Sequence, residues 1–586
     1  MNEEPKSIWK KSWTGWRGLL LGWLILMVAL AVIFLIWVIS MGMPIAGSGE
    51  ELRLFGVFTI AITTIFLLAS FIRWVCCWRN FKRALFGLAC LATLIALFYA
   101  EEDWRGWHAW NQFKHEWEAK GEKFDFKDFV PPPVPDDQNF ALTPIVYTSY
   151  GSMLTRDGKL IPYKDRDTDF VNRLEMPVTR NDSDWPTNSG GSWEKAMLTD
   201  LKPWQDYYRN LALTTNLFPV APQPQSPAAD VLLALSKYDP VIEELRAASK
   251  LPYSRFPLEY DKDDPAAILL PHLAVMKRCV RILHLRVTAE LQAGQSEKAL
   301  DDVKLMLSLN QSIRTEPILI SHLVRIAMAA ITIEPVYEGL AEHKWSDAQL
   351  AGLDAELGGL DFLADYEFSM RGERIFGISE TEYLRRSRNL RAMSFNDQGD
   401  PSSPPFSDLG FHLAPSSFFY RSELTIARMH QQWTLPLVDI TNRVVSPKKV
   451  SQNTAAADKA LQHGWPYNIL ARMIFPAAGN AVFQYVRAQS SVDLARTAIA
   501  LERYRLAHGE YPESLDALAL QFIAKVPYDV IGGQPLKYRR TNDGQFVLYS
   551  VGWNERDDGG VVVFNKGSTQ AVNRDEGDWV WRYPQK

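Results

Sequence analysis

Residues 501–518 read LERYRLAHGEYPESLDAL. Leu501, Tyr504 and Leu506 lie at near-helical spacing against a charged outer face. His508-Gly509 closes the repeat, because glycine accepts the left-handed conformation that ends a helix. Tyr511-Pro512 follows, and a second short helix is expected from Pro512 to about Ala519. Upstream, 465–509 is a long helical run that Pro476 should kink or interrupt, since proline lacks the amide donor. Downstream, GQFVLYSVGW and GGVVVF read as strands, with turns at Asn542-Asp543-Gly544 and Asp557-Asp558-Gly559-Gly560. Helix, short helix and small antiparallel sheet define a compact α+β head, placed at 485–586.

The beginning of the chain is of another kind. No charge falls between Arg17 and Glu50, an interval that holds LLLGWLILMVALAVIFLIWVIS. About 20 apolar residues cross the hydrocarbon of a bilayer, so this is a span rather than a cleaved signal. Three transmembrane helices are expected within a membrane domain at 1–100, over about 18–43, 54–72 and 84–100. Lys6, Lys10, Lys11 and Arg17 precede the first, and Arg73, Arg79, Lys82 and Arg83 lie between the second and third. Glu50 and Glu51 follow the first, and Glu101, Glu102 and Asp103 follow the third. That alternation predicts a cytoplasmic N-terminus and a large extracytoplasmic C-terminal region, as in a multi-pass protein of the bacterial inner membrane. Were 84–100 not to cross, the body would lie in the cytoplasm instead.

Charge separates the two parts. Residues 1–100 carry nine Lys/Arg and four Asp/Glu, or +5, and the whole chain carries −5, which leaves −10 for the remainder. An acidic body argues against nucleic acid as the partner; the lipid bilayer and envelope proteins are the partners expected. Of the four cysteines only Cys279 lies beyond residue 100, so the body has neither an internal disulfide nor a cysteine zinc site.

Residues 101–130 hold Trp104, Trp107, Phe113 and Trp117 at roughly helical spacing. They read as an amphipathic stalk, either on the membrane surface or packed on the body. PPPVPDDQNF at 131–140 ends any helix, and 131–227 is a Pro/Asn/Gly-rich irregular segment. From 228 to 484 the signal is an α-helical body. AAILLPHLAVMKRCVRILHLRVTAELQAG (266–294) stops at Gly294, and QSEKALDDVKLMLSLNQSI begins with Ser296 as N-cap. The pair is a helical hairpin whose Ala293, Gly294 and Ala299 resemble a tetratricopeptide turn, without a 34-residue repeat around it. Helices are expected at 316–341 and 347–357, the latter with a Ser346/Gln349 capping box. Residues 391–411 read as a mobile loop. The fold class is thus mainly α: transmembrane helices, a bundle or solenoid-like body and a small α+β head.

The C-terminal residues Leu501, Tyr504, Arg505, Gly509, Tyr511-Pro512, Leu515, Leu518 and Val526-Pro527-Tyr528-Asp529 form a run that Gly532-Gly533, Pro535, Tyr538, Tyr549-Ser550 and Gly552 continue. This run, over about 485–580, resembles the globular head of the major pseudopilin of type II secretion systems. The family's N-terminal processing signal is absent, so fibre assembly does not carry over. The upstream arrangement resembles large, uncharacterised bacterial membrane proteins and implies no activity. Family heads hold calcium after the Ser-x-Gly strand, and Ser550, Asn554, Asp557 and Asp558 occupy comparable places here, with Asp575 and Asp578 later. Oxygen ligands in a loop suit a hard cation. The family's fuller Gly/Asp-rich loop is not reproduced, and a solvated acidic turn is the competing reading.

No His-Glu-x-x-His, Gly-x-Ser-x-Gly or phosphate loop occurs. Ser446-Pro-Lys-Lys449 matches Ser-x-x-Lys only formally, because the proline breaks the required helix. His272, His284 and His322 read as ordinary residues of apolar helices, and Asp365, Arg371 and Glu373 as a solvated charge mixture. Two functions remain: a non-catalytic membrane-anchored scaffold or adaptor of the envelope, with a secretion-related role as the resemblance implies, or an extracytoplasmic hydrolase of wall or polysaccharide with carboxylates from distant helices. Two carboxylates facing each other across a deep pocket would favour the enzyme, and a broad exposed groove would favour binding.

Overall fold

The computed structural model describes 78–147, 189–260, 264–388, 410–462, 467–474, 476–567 and 571–584; elsewhere only 21–29, 60–69, 152–154, 160–162 and a few single positions are described. Two compact units are present, Met1–Glu102 and Asp103–Lys586. Helix α1, Trp78–Glu118, begins in the first and ends in the second. Its 41 residues reach about 60 Å at the usual rise per residue. Every Leu, Ile and Phe from Leu85 to Phe98 is at least half exposed. Over that stretch the helix is apolar on all sides and unburied. Among the described residues two helices are long and apolar enough to cross a bilayer: α1, and Leu319–Ala341, which is mostly buried inside the second unit. The span expected at 84–100 lies within α1; that at 54–72 is described as a shorter apolar helix, Ile60–Ala69, and that at 18–43 falls mainly outside the described residues.

The second unit is mainly helical. After the small pair β1 (Ser152–Leu154) and β2 (Leu160–Pro162) come α2 (Lys202–Thr214), α3 (Pro227–Leu235), α4 (Asp239–Ala248) and α5 (Pro271–Gln292). They are followed by α6 (Ser296–Ser312), α7 (Leu319–Ala341), α8 (Asp347–Gly358) and α9 (Phe362–Ser387). The chain continues through α10 (Ser416–Met429), the pair β3 (Val438–Asp439) and β4 (Val444–Val445), α11 (Pro447–Gln462), α12 (Ile469–Ile474) and α13 (Pro476–His508). Gly294 ends the α5–α6 hairpin at φ +76°. Ser296 starts α6 rather than capping it: Gln295 takes the cap position without a side-chain bond. The Ser346/Gln349 capping box forms reciprocally.

Pro476 is the first residue of α13, where its missing amide is harmless. From Ala481 to Glu502 this helix is buried almost all round, and its small Ala488, Ser490, Ala495 and Ala498 let α7, α8 and α9 close on it. The division expected at 484/485 therefore falls inside α13, and residues 103–586 form one unit. Strands β5 (Lys537–Arg540), β6 (Phe546–Ser550) and β9 (Trp579–Arg582) make an antiparallel sheet in the order β5-β6-β9, beside a hairpin of β7 (Val562–Phe564) and β8 (Val572–Gly577). The helix expected after Pro512 is a single 3-10 turn, Leu515–Leu518. Trp581 of β9 is fully buried, 5.5 Å from the Trp193 ring and 5.3 Å from Tyr337 of α7, whose hydroxyl donates to the Arg582 carbonyl at 2.9 Å. At the other end of the unit, Gly106, Trp110 and Phe113 of α1 are buried, while Trp104 and Trp107 stay exposed. Of the two placements open for the amphipathic stretch, the structure shows the packed one. Glu122, just beyond, receives Arg371 and Arg374 of α9 at 3.1 and 2.8 Å.

A polar knot lies in the apolar interior. Arg325 of α7 is fully buried, donating to Asp365 of α9 at 2.6 Å and to the Asn310 carbonyl of α6 at 3.0 Å. Removing one partner strands a buried charge, which typically costs about 3–5 kcal/mol. Asp365→Ala should lower unfolding free energy by about that amount in a urea titration; a loss under about 1 kcal/mol would show the pair to be dispensable.

Candidate functional site: a cationic groove on the body

Catalytic arrangements can be tested one by one. Ser446 donates to Glu555 Oε1 at 2.9 Å, while the Lys449 amine donates to the Pro436 carbonyl at 2.7 Å, so no serine–lysine dyad forms. Ser321, Glu316 and His272 do meet in the core. There the carboxylate stands between hydroxyl and imidazole: Ser321 Oγ donates to Glu316 Oε2, and His272 Nε2 lies 2.8 Å from Glu316 Oε1. Activation of a serine needs the imidazole in the middle, so this order ties helices together without making a nucleophile. His322 touches the Glu316 carbonyl at 3.0 Å, and burial with Arg325 beside it drives its pKa down to about 3. The expected solvated face also differs. Asp365 is buried on Arg325 and Arg314, Arg371 pairs with Glu122 and Glu367, and burial pushes Glu373 up to about 7. The three are not gathered into one cleft.

The candidate calcium ligands are engaged separately. Ser550 Oγ donates to Asp529 at 2.8 Å, and Asp529 also accepts from the Ile531 and Val551 amides. Asn554 Nδ2 donates to Asp558 at 2.8 Å. Asp557 accepts from the Tyr549 hydroxyl at 2.9 Å and lies 3.3 Å from Lys537, contacts that hold it below the ordinary carboxylate range. Asp578 accepts from the amides of Asp558, Gly560 and Val561, and Asp575 is exposed. Among the described residues no three His, Cys, Asp or Glu side chains gather to hold a metal. With its carboxylates already served by donors, this loop should hold without the ion. Millimolar calcium is expected to leave the melting temperature unchanged, and a saturating rise would restore the calcium reading.

The arrangement with binding character is elsewhere, on α5. Apolar Leu273, Met276, Val280, Leu283 and Val287 turn inward, while Lys277, Arg278, Arg281 and His284 follow one another along the opposite stripe at helical spacing. Trp204 and Tyr208 of α2 and Leu235 of α3 close the other side, leaving a groove of about 540 Å³. The two aromatic rings stack at 6.4 Å, and Tyr208 leans on Phe218 at 5.1 Å, so the floor is rigid. Among the described residues no Asp or Glu lines the groove. His284 is driven down to about 4 by burial and is therefore neutral at pH 7; its Nε2 is buried with no hydrogen-bond partner among the described residues. The sequence signal was available. Lys277, Arg278 and Arg281 have no acidic residue three or four positions away, unusual for a charged helix face in an acidic body. A second depression of about 660 Å³, between α4, α6 and α8, carries both signs: Arg246, Lys250 and Lys304 with Asp301 and Glu356.

A small cavity of about 90 Å³ between α7 and α13 is lined by Glu334. Glu334 accepts from the Trp193 amide at 2.8 Å, and burial lifts it to about 8; its neighbour Glu338, bonded by Thr199, is lifted to about 7. A carboxyl with a raised folded-state pKa stabilises fully below the ordinary range and loses that contribution as pH climbs through the raised value. Stability should therefore fall between about pH 5 and 8, and Glu334→Gln should flatten the slope of melting temperature against pH. An unaltered slope would show that Glu334 is ionised in the fold.

The fold is thus a mainly helical unit with a C-terminal sheet. Comparison with protein-family models, with curated proteins and with solved structures finds no match for this chain.

Proposed function

We propose that the protein is a membrane-anchored scaffold or adaptor of the bacterial cell envelope, with the Asp103–Lys586 unit outside the cytoplasm. The groove on α5 serves as a binding face, and the C-terminal α+β portion, pseudopilin-like in its helix, turn and sheet, meets envelope partners related to secretion. One observation carries this reading: the groove is walled by cations and contains no facing carboxylates. Such a site suits an anion, and its lining offers no pair of carboxylates to cleave a glycosidic bond. The apolar, unburied first part of α1 supports a bilayer as its surroundings.

A reporter fusion tests the placement. Alkaline phosphatase joined after Asp136 is expected to be active, because the enzyme matures only outside the cytoplasm; an inactive, expressed fusion would reverse the orientation. The hydrolase reading keeps one support, the mixed-charge depression holding Asp301 and Glu356. It requires the purified chain to release reducing ends from wall or capsular polysaccharide, and Asp301→Asn with Glu356→Gln to abolish that release.

A further inference from the structure

We infer that the α5 groove binds an anionic amphiphile, a phosphate monoester head joined to an alkyl or similar apolar chain, with Lys277, Arg278 and Arg281 taking the head and the floor taking the chain. The inference rests on the reading of this groove as the binding face and adds the ligand's chemistry.

Three features define that chemistry. The first is charge. Lys277, Arg278 and Arg281 form no ion pair among the described residues, although the part of the chain beyond residue 100 carries −10. Like charges gathered on one helix stripe repel, and an arriving dianion relieves that repulsion; guanidinium forks match phosphate oxygens in pairs. The second is the floor. Most of the rest of the lining is apolar, and the groove's volume falls in the usual range for small-molecule sites. The third is His284, neutral at pH 7, whose buried Nε2 needs a polar atom that no described residue supplies. An ester or head-group oxygen would satisfy it.

A nucleic-acid strand fits less well. The part of the chain beyond residue 100 carries −10, and that acidic charge repels a polyanion. A single anionic head meets only the local cations.

The test uses the full chain in phosphatidylcholine discs, titrated calorimetrically with hexyl phosphate and with ethyl phosphate, against empty discs. Hexyl phosphate is expected to saturate one site per chain and to bind at least tenfold more tightly than ethyl phosphate. The double variant Arg278→Gln/Arg281→Gln, at exposed positions, is expected to weaken hexyl phosphate at least tenfold with an unchanged melting temperature. His284→Phe should weaken it while leaving the dependence on chain length. No saturable binding, equal affinity in the double variant, or equal affinity for the two phosphates would each overturn the inference. So would tighter binding of oligo-dT than of hexyl phosphate. Adding phosphatidic acid to the discs distinguishes sources: competition identifies a lipid head group, and its absence a ligand free in solution. A failed titration beside an active fusion after Asp136 removes the ligand alone, whereas an inactive fusion removes the extracytoplasmic adaptor.

Discussion

One buried guanidinium holds the helical body in register. Arg325 has no exposed surface, yet it reaches Asp365 of α9, the Asn310 carbonyl of α6 and, at 3.4 Å, Gln311. Asn310 returns a bond of 2.6 Å to the Arg325 carbonyl. A charge in an apolar interior is tolerated only when fully bonded, so it admits few arrangements of α6, α7 and α9 where an all-apolar seam would admit many. Gly372 tightens the same seam: a Cβ there would lie 2.1 Å from the Pro317 carbonyl oxygen, so α9 passes directly against the α6–α7 connection.

Around that seam the unit spends its polar groups internally. Glu316 serves His272 and Ser321. Glu502, in the stretch quoted at the outset, is held by Arg505, Tyr511 and His343, which join the end of α13 to the turn before the sheet and to the end of α7. Histidines, serines and acids that resemble catalytic material in the sequence are thus used for fastening. The α5 groove departs from this rule, because its cations have no such bonds among the described residues, and that contrast gives it binding character.

Much of the local structure was legible. The Ser346/Gln349 box, the stop at Gly294, the start of α13 at Pro476 and the turn at Gly544 depend on residues within four positions of each other, and all formed. The apolar run at 84–100 lies within one helix for the same reason. Leu506 shows where pattern reading failed: it continues the apolar repeat but is 44% exposed, because α13 has by then run past the helices that cover its earlier turns. The boundary placed at 484/485 lies within α13. α13 belongs to the bundle and to the sheet at once, and a helix buried on every side has no polar face to mark where one neighbour ends.

The sequence by itself determined a mainly helical chain with an apolar beginning, an acidic remainder and a small terminal sheet, because composition and short-range periodicity carry that information. Only the tertiary structure decided which charges are consumed and which are left over. Asp365 finds Arg325 across 40 positions, and Arg371 finds Glu122 across 249, while Lys277, Arg278 and Arg281 find no partner among the described residues. Pairing between distant side chains follows from how helices pack, and neither α2 nor α3 announces in its own residues that it will wall a groove on α5.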